Sequence, residues 1–208
     1  MEFRVDCFTL KSICLITGAS KGYGQSVAIK FAELLPPSSM IIIVARNEAG
    51  LKKTKSLMEQ KCCDKIVRLF VMDLSIASRI DYERMLKESM GDITSTDFKQ
   101  SIVIHNAGSL GDISIGLSAQ TEDESLQRYW KLNLTSITVL NAVWHQFFSQ
   151  VTLKQRIVVG ISSICALQPF KSWGIYCAGK KLIYCTSLVS IFLLFLSEKI
   201  ISYSLFIS

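Results

Sequence analysis

The sequence lacks the marks of several protein classes. Its 208 residues contain no C-x-x-C pair, no internal repeat, and no low-complexity segment or linker that would divide the chain. The net charge of +6 is scattered, and no basic run has interleaved aromatic residues, so nucleic-acid binding is not expected. Arg4, Asp6 and Lys11 interrupt the apolar residues near the N-terminus, so no signal peptide is predicted. These absences favour a single domain over residues 1–208.

The cysteines and the apolar runs point to a cytoplasmic protein. The seven cysteines have no metal-ligand spacing, so we expect reduced core residues and no metal site. The apolar run 182–196 has 15 residues, and a membrane-spanning helix needs about 20. A membrane anchor would have to include Glu198 and Lys199, so membrane association is not expected.

Short apolar segments alternate with segments of helical periodicity along the chain. The predicted strands are 12–17, 40–45, 66–72, 101–105, 156–161 and 200–207. The predicted helices are 25–35, 48–61, 80–90, a stretch over 122–150 that breaks near Asn133, and one that contains Tyr176 near its start. This βαβα order predicts an α/β fold with a parallel, doubly wound sheet of the Rossmann type.

The glycine-rich segment TGASKGYG, residues 17–24, lies between the first strand and the first helix. Its G-x-x-x-G-x-G spacing allows a sharp turn and lets the backbone approach a pyrophosphate at the helix N-terminus. An ordinary glycine-rich turn is the lesser alternative. The predicted cofactor-binding residues in this loop are Gly18, Ser20, Lys21, Gly22, Tyr23 and Gly24.

Cofactor choice is expected at the end of the second strand, where Arg46 and Asn47 stand. An acidic side chain at this place binds the ribose 2′-hydroxyl of NAD, whereas a cation suits the 2′-phosphate of NADP. Arg46, with Lys21 as a second cation, therefore favours NADP(H). The alternative for Arg46 is a solvated surface residue.

Tyr176 and Lys180 are four residues apart, so on a helix they share one face. An ammonium there is expected to lower the pKa of the phenol and favour proton exchange near neutrality. Ser163 stands thirteen residues before Tyr176, and either Ser163 or Ser162 is placed to face such a site. The alternative is a pair of helix-surface residues without a catalytic role.

The order of the glycine loop, Asn106-Ala107-Gly108, Ser163, Tyr176 and Lys180 resembles the short-chain dehydrogenase/reductase family at matching intervals. The resemblance implies that Ser163 polarises a substrate carbonyl and Tyr176 donates a proton. It also implies that Lys180 lowers the pKa of Tyr176 and holds the nicotinamide ribose.

Five further residues acquire expected roles from the same resemblance. Asn106 and Gly108 are expected to line the cofactor, and Asn133 to hold a water molecule in the proton relay. Asp73, with Leu74 beside it, resembles the position that hydrogen-bonds the adenine amine. From the sequence alone, a helix N-cap is the alternative for Asp73. A polar residue that bends a helix is nearly as plausible a role for Asn133 as the relay.

Within this family, the segment 162–180 resembles the members that reduce side-chain carbonyls of pterins with NADPH, and this likeness covers roughly residues 10–185. It implies a cytoplasmic homodimer that acts in tetrahydrobiopterin biosynthesis. Ser163, Ile164, Phe170, Trp173 and Tyr176 are the predicted substrate-binding residues, the two aromatic rings forming flat walls for a bicyclic substrate. Core packing is the alternative for Phe170 and Trp173.

The last 28 residues, after Lys180, depart from the family because they contain no glycine and no proline. The family continues with a Pro-Gly turn over the nicotinamide, a substrate-covering segment and a last strand. We therefore expect a C-terminally incomplete domain. The alternatives to a pterin reductase are a catalytically impaired NADP-binding isoform or dimerisation partner, or a carbonyl reductase with another substrate.

Overall fold

A computed structural model of the chain describes residues 8–114, 123–194 and 200–207. The strands are β1 (Ser12–Thr17), β2 (Met40–Ala45), β3 (Ile66–Val71), β4 (Gln100–His105), β5 (Gln155–Ser163) and β6 (Ile200–Ile207). The helices are α1 (Gly22–Leu34), α2 (Glu48–Lys61), α3 (Arg79–Met90), α4 (Asp123–Trp130), α5 (Ser136–Phe147) and α6 (Gly174–Leu194). A π-helical turn (Lys131–Thr135) joins α4 to α5.

The six strands form one parallel sheet in the order β3-β2-β1-β4-β5-β6. This order is that of the doubly wound Rossmann fold, so the predicted fold class is confirmed. All residues of β1, β2 and β4 are buried, because helices cover both faces of a parallel sheet. A single domain over residues 1–208 stays a prediction.

The hydrophobic core consists of two clusters, one on each face of the sheet. On one face, α1 presents small residues, Gly24, Ala28 and Ala32, at a spacing of four, and these allow the helix to pack close to the strands. On the other face, Tyr82 of α3 and Trp144 of α5 are buried in the second cluster. Successive residues of these apolar strands point to opposite faces of the sheet, so each strand contributes to both clusters.

Strand β5 is longer than the sequence indicates. The predicted strand ends at residue 161, with Ser162 and Ser163 after it, but β5 runs to Ser163. Ser162 and Ser163 pair with Phe206 and Ile207 of β6, so backbone hydrogen bonding continues beyond the apolar run. Since alternate residues of a strand point to opposite faces, the two serines are directed differently.

The predicted break near Asn133 is confirmed and is a π-helical turn. Asn133 lies inside this turn, and its side chain is buried. Widened turns of this kind occur often at functional sites, since they redirect a side chain without ending the helix. Within the described part of the chain, no helix combines the length and the apolar character needed to cross a membrane.

His105, the last residue of β4, should make the stability of the folded protein depend on pH. Burial lowers the pKa of His105 to about 4, although its hydrogen bond to Asn141 Oδ1 acts in the opposite direction. A histidine whose pKa is lower in the folded state stabilises the fold above its unfolded pKa of 6.5, and this contribution is lost as the pH falls towards 4. Between these two pH values we expect the free energy of unfolding to fall by roughly 2–4 kcal/mol because of His105.

The measurement is urea unfolding of wild type, His105→Gln and His145→Gln from neutral pH to about pH 4. The first variant should lose much of the pH dependence, because its amide keeps the hydrogen bond to Asn141 without a titrating group. The second replaces the chain's other histidine, which is exposed, and should behave as wild type. Equal pH slopes in all three proteins would contradict the assignment.

Candidate active site

A cleft of about 480 Å³ opens at the carboxyl ends of β1, β2 and β4, where the strand order reverses. Open α/β sheets bind ligands at this switch point. The cleft is lined by Gly18, Ser20, Lys21, Ala45, Arg46, Asn47, Met72, Asp73, Leu74, Asn106, Ala107, Gly108 and Leu132. Nine of these residues belong to the predicted cofactor set. The structure thus brings the glycine loop and the ends of the next strands to one place.

The glycine loop is packed too tightly for side chains at two positions. Gly18 has a left-handed φ of +69°, and a Cβ there would lie 2.8 Å from Asn106 Nδ2. A Cβ at Gly24 would lie 2.3 Å from both Asn106 Nδ2 and Gly18 O. Gly24 is therefore buried beneath the loop rather than in the cleft, while Gly22 and Tyr23 begin α1. The N-terminus of α1 offers free N–H groups and a positive dipole end to an anion.

Replacing Gly24 by alanine should weaken dinucleotide binding about tenfold or more and destabilise the fold by about 1–3 kcal/mol. The added Cβ meets the carbonyl of Gly18 and forces the loop to move. Gly22→Asn is the matched control for stability, since Gly22 has nothing within 4 Å of a Cβ and asparagine tolerates its left-handed backbone. Isothermal titration with NADPH measures binding and thermal unfolding measures stability; equal losses of stability in the two variants would contradict this packing argument.

Asn106 holds the glycine loop with its side chain. Its Nδ2 donates to Thr17 O at 3.1 Å and to Gly18 O at 3.2 Å. The Thr17 hydroxyl accepts from the backbone N–H groups of Asn106 and Ala107, at 3.1 and 3.0 Å. These bonds join the turn after β4 to the turn after β1. Asn106 therefore shapes the floor of the cleft that it also lines.

Thr54 of α2 supports the same loop and was not among the predicted site residues. It is fully buried, and its hydroxyl donates to Ala19 O at 2.9 Å while Gln25 Nε2 donates to it at 2.8 Å. A Cβ at Gly50, one turn earlier, would lie 2.6 Å from Ser20 O, so α2 contacts the loop closely. The available signal was a polar residue, Thr54, on the apolar face of an amphipathic helix.

Arg46 and Asp73 face each other at the rim of the cleft. Arg46 Nη1 lies 3.8 Å from Asp73 Oδ2, and 70 % of the Arg46 side chain is exposed. Burial alone would raise the pKa of Asp73, but hydrogen bonds from Ser75 and the charge of Arg46 lower it below its ordinary value. The rim thus carries an ionised carboxylate beside an exposed guanidinium that is free to turn towards an anionic ligand.

Ser163 lies beside Tyr176, and its side chain acts to lower the pKa of that phenol. Ser163 is buried, and its Oγ also accepts from Cys165 N at 3.3 Å. Ser162, by contrast, donates to Lys180 O at 3.2 Å and faces the backbone of α6. Of the two serines that the sequence left open, the structure therefore places Ser163 beside the tyrosine.

The expected lowering of the Tyr176 pKa by Lys180 is wrong in this structure. Burial raises the pKa of Tyr176, and the Ser163 side chain offsets only part of that rise. Lys180 Nζ donates to Ile161 O at 2.9 Å and lies 5.6 Å from the centre of the Tyr176 ring. Burial also lowers the pKa of Lys180.

Asn133 and Gly108 connect this group to the cleft. Asn133 Oδ1 accepts from Ser109 N at 3.0 Å, and its Nδ2 donates to Tyr129 O at 3.0 Å. A Cβ at Gly108 would lie 3.0 Å from Asn133 Oδ1 and 3.8 Å from Lys180 Nζ. Asn133, Gly108 and Lys180 are therefore neighbours at the inner end of the cleft, as the sequence predicts for a shared site.

Aromatic rings form a row that leads to Tyr176. The ring centres of Phe170 and Trp173 are 5.9 Å apart, and those of Trp173 and Tyr176 are 5.8 Å apart. Phe170 is 43 % exposed and Ile164 is 39 % exposed, so neither is a core residue. Core packing is thus not the role of Phe170. The row presents an apolar surface next to the hydroxyl groups of Ser163 and Tyr176.

Comparison with known proteins gives both a family and individual relatives. The short chain dehydrogenase family profile matches residues 12–185. Sepiapterin reductase from Mus musculus is 36 % identical over 169 residues, which cover 81 % of this chain and 64 % of the mouse protein. The enzyme from Bos taurus is 37 % identical over 172 residues, covering 82 % and 63 %. The chain therefore spans less than two thirds of the length of these relatives.

A more distant relative in sequence and two solved structures are also similar to this chain. Benzil reductase from Bacillus subtilis is 28 % identical over 166 residues, covering 80 % of this chain and 60 % of that protein. The bulky-bulky ketone specific alcohol dehydrogenase from Comamonas testosteroni superposes with a TM-score of 0.76 at 26 % identity, covering 93 % and 71 %. A short chain dehydrogenase from Escherichia coli CFT073, complexed with NADPH, superposes with a TM-score of 0.77 at 22 % identity, covering 97 % and 79 %.

Proposed function

Because the chain belongs to the short chain dehydrogenase family, we propose that it is an NADPH-dependent reductase of carbonyl groups. The observation that carries the proposal is the grouping of Ser163, Tyr176 and Lys180 at the inner end of a cleft formed by a glycine loop. The bound dinucleotide would supply a hydride to the carbonyl carbon. The protein's part is to hold both reactants and to provide the proton.

Each residue of the group has a chemical task in this proposal. Ser163 donates a hydrogen bond to the carbonyl oxygen and so stabilises the negative charge that develops there. Tyr176 transfers its phenolic proton to that oxygen, which completes the alcohol as the hydride reaches the carbon. Lys180 and Asn133 both border Gly108. Lys180 would bind the nicotinamide ribose, and Asn133 would hold the water molecule of the proton relay.

The residues of the cleft fit an anionic dinucleotide. The N-terminus of α1 and the loop containing Gly18, Ser20 and Lys21 suit a pyrophosphate. Arg46 offers a planar pair of donors to a 2′-phosphate, and Lys21 adds charge. Asp73 and Leu74 line the part of the cleft proposed for the adenine. These features support NADP(H) over NAD(H).

We propose a pterin with a side-chain carbonyl as the substrate. The support is the similarity to sepiapterin reductases together with the row of Phe170, Trp173 and Tyr176, which suits a flat bicyclic ring. The second candidate is an aromatic diketone, because benzil reductase is also similar and the same row would bind a phenyl ring. A homodimer, a cytoplasmic location and a part in tetrahydrobiopterin synthesis remain predictions.

The test is to follow NADPH consumption by the purified chain with sepiapterin, with benzil and with a small aliphatic ketone. A kcat/KM for sepiapterin that exceeds the other two supports the pterin proposal. A higher kcat/KM for benzil would contradict the pterin proposal and support an aromatic diketone as the substrate. NADPH binding without turnover of any carbonyl would contradict the proposed reductase, and light scattering of the same sample reports whether it is dimeric.

A further inference from the structure

Tyr129, near the end of α4, lies in a slot between two glycines from other parts of the chain. A Cβ at Gly111, in the segment after β4, would lie 3.0 Å from Tyr129 Cδ2, and Gly111 has a left-handed φ of +70°. A Cβ at Gly179 of α6 would lie 3.0 Å from the Tyr129 hydroxyl oxygen. Both distances are shorter than ordinary van der Waals contacts, so a side chain at either glycine would require Tyr129 to shift by a few tenths of an ångström.

The hydroxyl of Tyr129 is directed at the first turn of α6. It donates to Ile175 O at 3.4 Å, and Ile175 immediately precedes Tyr176. The bond is long, so its main effect is to orient the two groups. Burial raises the pKa of Tyr129, with a further contribution from Tyr176, so the phenol keeps its proton and remains a donor.

The backbone of Tyr129 contacts the other half of the proposed proton relay. Its carbonyl accepts from Asn133 Nδ2 at 3.0 Å, and Asn133 Oδ1 in turn accepts from Ser109 N. Tyr129 therefore touches three segments at once: the π-helical turn, the segment after β4, and the start of α6. Trp130 closes the same place, with its ring centre 5.3 Å from that of Tyr129.

We propose that Tyr129 is a positioning residue that fixes the first turn of α6, and with it Tyr176 and Lys180, relative to Asn133. Gly179 and Gly111 are the complementary part of this device, because they provide the space for the ring. The inference rests on the proposed function for its catalytic meaning, but the contacts themselves do not depend on the reaction. A displacement of about 1 Å in such a group is enough to reduce a rate by about 100-fold.

If Tyr129 did not occupy the space beside Gly179, a different result would be expected from replacing this glycine. Alanine is the better helix former, so Gly179→Ala in a helix with free space raises the melting temperature and leaves the site unchanged. If Tyr129 occupies that space, the new methyl group meets its hydroxyl and displaces the ring or the first turn of α6. The sign of the change in stability therefore separates the two explanations.

The experiment uses four forms of the full chain besides wild type: Gly179→Ala, Tyr129→Phe, the double variant, and Ala178→Ser. We expect Gly179→Ala to lower kcat about tenfold or more with little change in KM. Tyr129→Phe alone should lower kcat to a smaller extent, because the ring stays but the hydrogen bond to Ile175 O is lost. The double variant should match Tyr129→Phe rather than Gly179→Ala, because phenylalanine has no hydroxyl to meet the methyl group. Ala178→Ser adds one heavy atom at the adjacent exposed position and should match wild type.

A readout without turnover keeps this test separate from that of the reductase. Tyrosine labelled with ¹³C at Cζ reports the ionisation of Tyr176 by NMR, with Tyr176→Phe as the assignment control. We expect Gly179→Ala to raise the pKa of Tyr176, since a displaced turn moves the phenol away from the Ser163 side chain that lowers its pKa. The double variant should return the pKa to the value measured in Tyr129→Phe. Unchanged ionisation and a higher melting temperature in Gly179→Ala, or additive losses in the double variant, would overturn the proposal even in a protein that reduces no carbonyl.

Discussion

Replacing Tyr176 by phenylalanine should remove nearly all carbonyl reduction while NADPH binding stays close to that of wild type. Only the proton donor is lost, and general acid catalysis contributes roughly 10²–10⁴-fold to a rate. The ring contact with Trp173 is kept, so the aromatic row retains its shape. The measurement is kcat with the best carbonyl substrate, combined with NADPH titration by tryptophan fluorescence.

Tyr184→Phe is the matched control for this variant. Tyr184 lies on the same helix, two turns after Tyr176, and is partly buried like it. Its loss of a hydroxyl should leave kcat near the wild-type value. In wild type the rate should fall at high pH, because the phenol must be protonated to act as an acid. Burial raises the pKa of Tyr176, so this fall should begin above the ordinary range of a tyrosine. A phenylalanine variant that turns over at the wild-type rate would remove Tyr176 from the mechanism.

The second large effect is expected at Arg46. Arg46→Asp should weaken NADPH binding roughly 10- to 100-fold, the range expected when a charge-assisted hydrogen bond is lost and a repulsive charge is added. Asp73, 3.8 Å from the guanidinium, would then stand beside a second carboxylate and increase the repulsion. NADH has no 2′-phosphate, and its ribose hydroxyl can donate to the new carboxylate, so the preference should reverse.

Lys154→Asp provides the control for charge alone. It makes the same change in net charge at an exposed position just before β5. Lys154 thus lies at the amino ends of the strands, whereas the cleft lies at their carboxyl ends. NADPH and NADH dissociation constants for the three proteins, measured at one ionic strength, decide the point. Equal affinities of wild type for the two cofactors would show that Arg46 does not select between them.

The strands were predictable because parallel strands covered on both faces appear as continuous apolar runs. The ranges predicted for β1, β2 and β6 agree with the structure to the residue. The error at β5 has a physical reason: Ser162 and Ser163 are polar, yet the backbone of β6 pairs with them and extends the strand. Pairing between distant segments overrides the local hydrophobic pattern.

The candidate site was also predictable only in part. Spacing along one helix placed Tyr176 near Lys180, and strand ends placed Arg46 near Asp73. Burial, however, determines the ionisation of Tyr176, and the pattern of the sequence did not show that the carbonyl of Ile161 would hold the ammonium of Lys180. A pKa depends on the solvent and charges around a group, and these come from segments far apart in sequence.

By itself the sequence determined the order of the elements, the glycine loop, the likeness to a family, and the candidate residues, since these depend on local spacing and local hydrophobic period. Only the tertiary structure decided that Thr54 supports the glycine loop and that Tyr129 fits between Gly111 and Gly179. Each of these is a contact between side chains or backbone that are distant in sequence, and packing at atomic distance leaves no periodic trace in a single chain.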